Sequence, residues 1–195
     1  MLSKAGFSGL VPLHEVNENF LPWIEQFDSG REKLNDYLKL CARDQHDDHL
    51  STTSLIFHEA FEGVAGYITL ANDCLPLTTF EEGQLGLRDQ YQLRTFPAVK
   101  ICRLAVNAAL QRQGVGKLIL DLTVGQVIDS QKVCAARLLV TDAVNEPAVL
   151  QFYKKLGFFD SGWADKEAKK KSGQQARKGP IQRETIKMLR DIYEA

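Results

Sequence analysis

The stretch Gln111-Arg112-Gln113-Gly114-Val115-Gly116-Lys117 constrains this chain more than any other. It follows a β-rich run over 98–107 and precedes an apolar, helix-like stretch that reaches about Ser130. A helix entered from such a loop begins with backbone N–H groups that have no partner inside the helix, and its dipole favours negative charge there. Gly114 and Gly116 let the backbone approach an anion closely. The expected product is an anion-binding nest suited to a diphosphate, with Arg112 and Lys117 adding positive charge at the rim. Other phosphate motifs fit worse. A Walker A loop needs Ser or Thr after its Lys, but Leu118 follows Lys117, and the dinucleotide fingerprint needs a third glycine. Two glycines alone are equally well explained as a helix start, so the surrounding segments have to decide.

Those segments predict an alternation of strands and helices. Residues 31–45 read as a helix, with Leu34, Leu38 and Cys41 at helical spacing and Ser29-Gly30 ahead of it. Residues 52–58 and 64–71 read as two strands joined by a turn at Glu62-Gly63. Residues 72–97 read as mostly loop with one short helix. After the 98–107 strand and the glycine loop, Leu138–Thr141 reads as a short buried strand. Asn145-Glu146-Pro147 opens a helix, with Asn145 suited to the N-cap, and Gly157 ends it. Phe158-Phe159 starts another strand. The Lys-, Gly- and Gln-rich residues 164–180 read as a mobile basic loop, and 184–192 as a strand or a short helix. The order implies a mixed α/β sheet in one domain spanning 1–195.

Composition bounds the function classes. The chain has 195 residues, 44% hydrophobic and 25% charged, which suits a soluble domain that buries its own core. No apolar run is long enough for a transmembrane helix, and the first residues lack a secretory h-region. Cys41, Cys74, Cys102 and Cys134 are widely spaced without a CxxC pair, so a reducing cytoplasm is the expected location. The net charge of −1 conceals an asymmetry. Residues 1–100 carry 8 Lys/Arg against 15 Asp/Glu, and 101–195 carry 16 against 10, so the second half has the greater attraction for a polyanion.

The glycine loop resembles the signature of the GNAT superfamily of N-acetyltransferases, Q/R-x-x-G-x-G/A after a strand, which Gln111 to Gly116 match in full. A second motif follows in order: Asn145-Glu146-Pro147-Ala148, then Phe152-Tyr153-Lys154-Lys155-Leu156-Gly157-Phe158. Together they cover roughly residues 50–160. Phe27-Asp28-Ser29-Gly30, Leu34-Asn35-Asp36-Tyr37-Leu38, Gly66-Tyr67-Ile68-Thr69-Leu70 and Phe96-Pro97 further resemble the acetyltransferase-toxin group, whose members acetylate the amino group of aminoacyl-tRNA and are neutralised by a small DNA-binding antitoxin. This chain departs from that group in its longer basic stretch 164–180 and in its overall charge.

The resemblance implies a GNAT-like, mostly antiparallel sheet flanked by helices, with a central splayed parallel strand pair. It implies acetyl-CoA as co-substrate, with no metal. The pantetheine arm would pair with the strand Leu104-Ala105-Val106. The diphosphate would lie on Gln111, Arg112, Gln113, Gly114, Val115, Gly116 and Lys117, with Asn145 as either helix cap or cofactor contact. Tyr153 would stand at the general-acid position, where a protonated phenol can donate to the leaving sulfur. A strand N–H near Leu104–Val106 would take the oxyanion. No general base stands out; Asp142 is the nearest acid, and a water chain would serve as well. Taken without the motif, Tyr153 reads as an aromatic packed between helix and sheet.

Other constellations carry less. His46 and His49 among Asp44, Asp47 and Asp48 have metal-ligand spacing but read better as a solvated helix end. Cys102 and Cys134 are expected to be buried thiols, without a nearby His to make either a nucleophile. Lys169-Lys170-Lys171 with Arg177 and Lys178 would touch RNA phosphates or form a solvated surface. The acceptor stays open between aminoacyl-tRNA, with an antitoxin as partner, and a small-molecule or protein amine. An inactive acetyl-CoA-binding module is the reading from a different class. A homodimer is a further expectation, since the apolar faces of such sheets often pair.

Overall fold

The computed structural model describes residues 4–87, 91, 93–131, 134–174 and 183–193. Seven strands follow the hydrogen-bonded order β1 (Val11–Pro12), β2 (Thr52–His58), β3 (Phe61–Leu75), β4 (Phe96–Val106), β5 (Leu138–Val144), β7 (Thr185–Asp191), β6 (Phe159–Asp160). Among the described residues the sheet is mostly antiparallel with a parallel pair, β4 with β5, the arrangement that the resemblance implies. The helices are α1 (Leu21–Glu25), α2 (Glu32–Asp36), α3 (Ala42–Asp47), α4 (Thr79–Gln84), α5 (Val115–Ser130), α6 (Pro147–Lys155) and α7 (Gly162–Gln174). By contacts the chain forms two units, Met1–Ala71 with Ile101–Lys132, and Asn72–Lys100 with Val133–Ala195.

In the first unit β2 and β3 form the expected hairpin, paired Thr52↔Leu70 through Ile56↔Gly66, with an irregularity before His58↔Phe61. The chain turns at Glu59-Ala60, ahead of the expected Glu62-Gly63, because the Ala60 N–H donates to His58 Nδ1 and closes the reversal early. The core gathers Phe27, Leu38, Leu55, Val64, Tyr67 and Ala105. The helix expected over 31–45 runs from Glu32 to Asp47, but Tyr37–Cys41 is a π-helical turn. Tyr37 there stacks on the buried Tyr67 at 6.4 Å, whose hydroxyl donates to Leu34 O at 2.8 Å. Ser29-Gly30 does not cap this helix; its N-cap is Arg31, without a side-chain bond.

Gly66 is required by close approach. A Cβ there would lie 2.8 Å from the Ala105 carbonyl oxygen and 2.9 Å from Ile119 Cδ1. Because the first obstacle is backbone, Gly66→Ala is expected to cost about 1–3 kcal/mol by overpacking. Thermal unfolding reads this as a fall in Tm, and an unchanged Tm would mean that β3 and β4 can part at no cost.

In the second unit β5 pairs with β7 from Leu138↔Asp191 to Val144↔Thr185. Thus within 184–192, undecided between strand and helix, Thr185–Asp191 is a strand, with Met188 and Leu189 fully buried. Residues 72–75, expected as loop, continue β3. Residues 164–174, expected as a mobile basic loop, are helical in α7, and 175–180 lie outside the described residues. The helix is anchored at its start: Gly162 N–H donates to Glu81 Oε1 at 2.8 Å, and Ala164 N–H to Ser161 Oγ at 3.2 Å. Glu81 also closes the capping box of α4 with Thr78, so one buried carboxylate serves two helix N-termini. Such long-range anchoring leaves no local sequence signal. Two cysteines differ from expectation: Cys134 is exposed and lies outside the strands, and Cys102 is half-buried.

Candidate functional site

The glycine loop lies in the first unit. β4 ends at Val106, and Asn107 N–H donates to Ala65 O at 2.9 Å. A 3₁₀ turn over Ala108–Leu110 follows, then Arg112 at φ 60° and Gly114 at φ 88°. Two residues in the left-handed region turn the chain sharply into α5. Gly114 takes that conformation freely, whereas Arg112 carries strain of about 1 kcal/mol. The first helical bond runs from Leu118 N–H to Gly114 O at 3.0 Å. The N–H groups of Val115, Gly116 and Lys117 therefore precede the ladder. Its N-cap, Gly114, offers no side-chain cap, and no acidic residue sits in its first turn. A Cβ on Gly114 would meet nothing within 4 Å, so the cradle is open. The donor set fits a diphosphate.

The glutamines of the motif hold the loop. Gln111 Nε2 donates to Ser29 O at 2.8 Å and to Val106 O at 3.2 Å, and Gln113 Nε2 to Ala109 O at 3.1 Å. Ala108 N–H donates to Asp28 O at 2.8 Å. The Phe27–Gly30 turn is thus a brace for the loop. Asn35 rigidifies it, accepting from Ser29 N–H at 2.8 Å and donating to Asp28 Oδ1 at 2.8 Å. The Gly30 N–H and then the Asn35 amide hold the exposed Asp28 carboxyl below its ordinary pKa. Lys117 pairs with Asp121 at 2.5 Å, whereas the rim cation Arg112 forms no ion pair among the described residues. On β4, Leu104 and Val106 are half-buried and Ala105 is buried.

Tyr153 and Asn145 lie in the second unit. Tyr153 is 7% exposed, between the rings of Phe152 and Phe158 at 5.1 and 5.2 Å. Burial raises its pKa, opposed by a hydrogen bond with the Thr141 hydroxyl, so the phenol stays protonated through neutral pH. Asn145 is not the helix cap. Glu146 is, its carbonyl accepting from Leu150 N–H at 3.0 Å. The Asn145 side chain donates instead to Arg183 O at 2.9 Å, and its backbone N–H to Glu184 O at 2.9 Å, just beyond the β5–β7 ladder. Thr141 was missed by sequence reasoning; the only signal was its polar character in an apolar strand.

Asp142 is engaged twice, by Lys100 at 2.6 Å and Lys187 at 3.0 Å. Its partial burial disfavours the charge, but hydrogen bonds from both lysines and their charges prevail and hold its pKa below the ordinary 3.8. It is a poor proton acceptor at neutral pH. A depressed folded-state pKa contributes stability above 3.8 that disappears as pH falls through the folded value. Asp142→Asn is therefore expected to lower unfolding free energy by about 1 kcal/mol at pH 7, after solvent screening. Denaturant titrations at pH 7 and pH 3 check this; an equal loss at both would assign the effect to packing.

Among the described residues, no three His, Cys, Asp or Glu side chains are placed to hold a metal, and no helix is long and apolar enough to cross a membrane. His46 instead takes Thr53 N–H on Nδ1 at 3.3 Å and meets His14 Nδ1 at 2.7 Å through Nε2.

Residues 55–159 match the family model of the acetyltransferase (GNAT) domain, over half of the chain, and the chain belongs to that family. It is an N-acetyltransferase that uses acetyl-CoA. Among solved structures, a tyrosine mutant of KacT matches at TM-score 0.69 with 20% identity, covering 95% of this chain and 96% of that one. The AtaT mutant toxin bound to the C-terminus of the antitoxin AtaR and acetyl-CoA matches at 0.66 with 20% identity, covering 96% and 94%. These two share the fold. AtaT complexed with acetyl-methionyl-tRNAfMet matches at 0.61 with 27% identity, covering 71% of this chain and 80% of that one. No curated protein sequence matches the chain.

Proposed function

We propose that the acceptor is the amino group of an aminoacyl-tRNA, that the protein acts as a toxin, and that a small antitoxin holds it in check. The carrying observation is the likeness to AtaT in its complex with acetylated methionyl-tRNA. Helix α7 adds support, since Lys166, Lys169 and Lys170 are exposed along it, where phosphates would bind.

In this reading the backbone N–H groups at Gly114–Lys117 and the Arg112 side chain hold the diphosphate, and the β4 backbone at Leu104–Val106 pairs with the pantetheine arm. Acetyl-CoA supplies the acetyl group as a thioester. The neutral amine attacks the thioester carbon, and an N–H of β4 receives the oxyanion. As the C–N bond stands and the C–S bond breaks, Tyr153 gives its phenolic proton to the departing thiolate. The Thr141 hydroxyl steadies the phenolate until solvent reprotonates it. The proton lost by nitrogen goes to water, since Asp142 is held ionised by its lysines. Much of the acceleration comes from alignment of the two substrates.

Thiol release from acetyl-CoA tests the acceptor. Charged tRNA is expected to give turnover, and deacylated tRNA, polyamines and aminoglycosides none. Turnover with a small amine alone would replace the tRNA reading, and none with any amine would leave an acetyl-CoA-binding module. Expression in bacteria is expected to arrest growth; harmless expression of folded protein counts against a toxin.

A further inference from the structure

We propose that Arg103 holds the phosphate that joins the last two nucleotides of the aminoacyl-tRNA acceptor, and so selects that acceptor; the inference rests on the acceptor reading above. Arg103 is exposed on β4, directly before Leu104–Val106. In that reading the diphosphate lies on the glycine loop that follows β4. The pantetheine arm then runs from the loop back along Val106 to Leu104. Its acetyl end therefore lies at the Arg103 end of the strand, where the amine has to arrive.

The guanidinium is held in place, yet most of it is unused. Its Cζ stands 4.9 Å from the centroid of the Tyr37 ring, and Nη1 donates to the Cys102 carbonyl at 2.7 Å. Arg103 forms no ion pair among the described residues, which leaves the rest of its N–H fork without a partner there. The Tyr37 ring is itself fixed: it is buried, lies 20° from the plane of the Tyr67 ring, and its hydroxyl donates to Gln45 Oε1 at 3.0 Å. Tyr37 also opens the π-helical turn Tyr37–Cys41, and such turns concentrate at functional sites. An arginine that served only solubility would keep its rotamer freedom. This one gives it up to a cation–π contact and a backbone bond before any ligand arrives, which is preorganisation for binding.

Chemistry selects the ligand. An open guanidinium fork takes an anion with two oxygens, a phosphate or a carboxylate, through parallel N–H bonds. An aminoacyl-tRNA has no main-chain carboxylate at its reactive end, because the amino acid is esterified there. The anion nearest its amine is the phosphodiester on the 5′ oxygen of the terminal adenosine, just across the ribose. A polyamine or an aminoglycoside brings only positive charge, which the same guanidinium repels.

The test is the salt dependence of acetylation of a charged-tRNA mixture by the wild type, Arg103→Gln and Arg103→Lys. Each phosphate neutralised on a single strand contributes about −0.7 to the slope of log affinity against log salt. Arg103→Gln is expected to flatten the slope of log kcat/KM by about that amount and to raise KM for charged tRNA roughly tenfold, with KM for acetyl-CoA unchanged. Arg103→Lys keeps the charge and loses the fork, so it restores the wild-type slope and recovers only part of the affinity. A residue that merely packs would leave the slope alone. If Arg103→Gln does not fold, Arg103→Met, which keeps an apolar stem on the Tyr37 ring, gives the same comparison. An unchanged slope in the uncharged variant, or a rise in KM for acetyl-CoA alone, would overturn the proposal and leave tRNA as the acceptor. No acetylation of charged tRNA by the wild type would remove the acceptor reading, and this contact with it.

Discussion

Tyr153→Phe is expected to lower kcat roughly a hundredfold or more, the usual scale for losing a general acid, with little change in KM for acetyl-CoA. The reason for the split is chemical. The ring is buried against Phe152 and Phe158, and phenylalanine keeps that packing. Only the hydroxyl is lost, with its hydrogen bond to Thr141, which costs about 1 kcal/mol of stability and a few degrees in Tm. A residue that only packs would show that small loss of stability with kcat intact. The pH profile gives an independent readout. Burial raises the Tyr153 pKa above the ordinary 10.0, so the donor form persists through neutral pH. Alkaline loss of kcat due to this group therefore falls above pH 10 and is absent in the variant.

Gly114→Val is expected to raise KM for acetyl-CoA by tenfold or more while stability falls by only about 1–2 kcal/mol. Gly114 sits at φ 88°, which a β-branched residue adopts under strain. Within the protein a Cβ there meets nothing within 4 Å, so backbone strain is the main intramolecular cost. The added methyl groups occupy the space before the N–H groups of α5, where the diphosphate would lie. Gly114→Ala separates the two effects, carrying most of the strain and less of the obstruction. Calorimetric titration with CoA and a thermal melt on each variant make the comparison. Equal CoA affinity in all three proteins would move the diphosphate away from this loop.

The parts legible in the sequence are those whose causes are local. Glycines at a strand-to-helix junction and Pro147 in the first turn of α6 set the backbone where they stand. The parts that were not legible depend on distant partners. Residues 164–174 look like a solvated basic loop until Glu81 and Ser161 cap their first turn. Asn145 looks like a cap, but its side chain reaches Arg183, 38 residues away. Gln111 illustrates both levels. Its place in the motif was visible, whereas its bonds to Ser29 and Val106 tie together two segments whose connection no spacing reveals. Asp142 was the nearest carboxylate to serve as base; only the fold brings Lys100 and Lys187 to it.

The most direct test is to incubate the protein with acetyl-CoA and a mixture of charged tRNAs, release the aminoacyl ends by nuclease, and weigh them. The account predicts aminoacyl-adenosine heavier by one acetyl group on its amino nitrogen, formed with one CoA released per acetyl transferred, and nearly absent with Tyr153→Phe. Unmodified aminoacyl ends alongside wild-type protein that binds acetyl-CoA would contradict it.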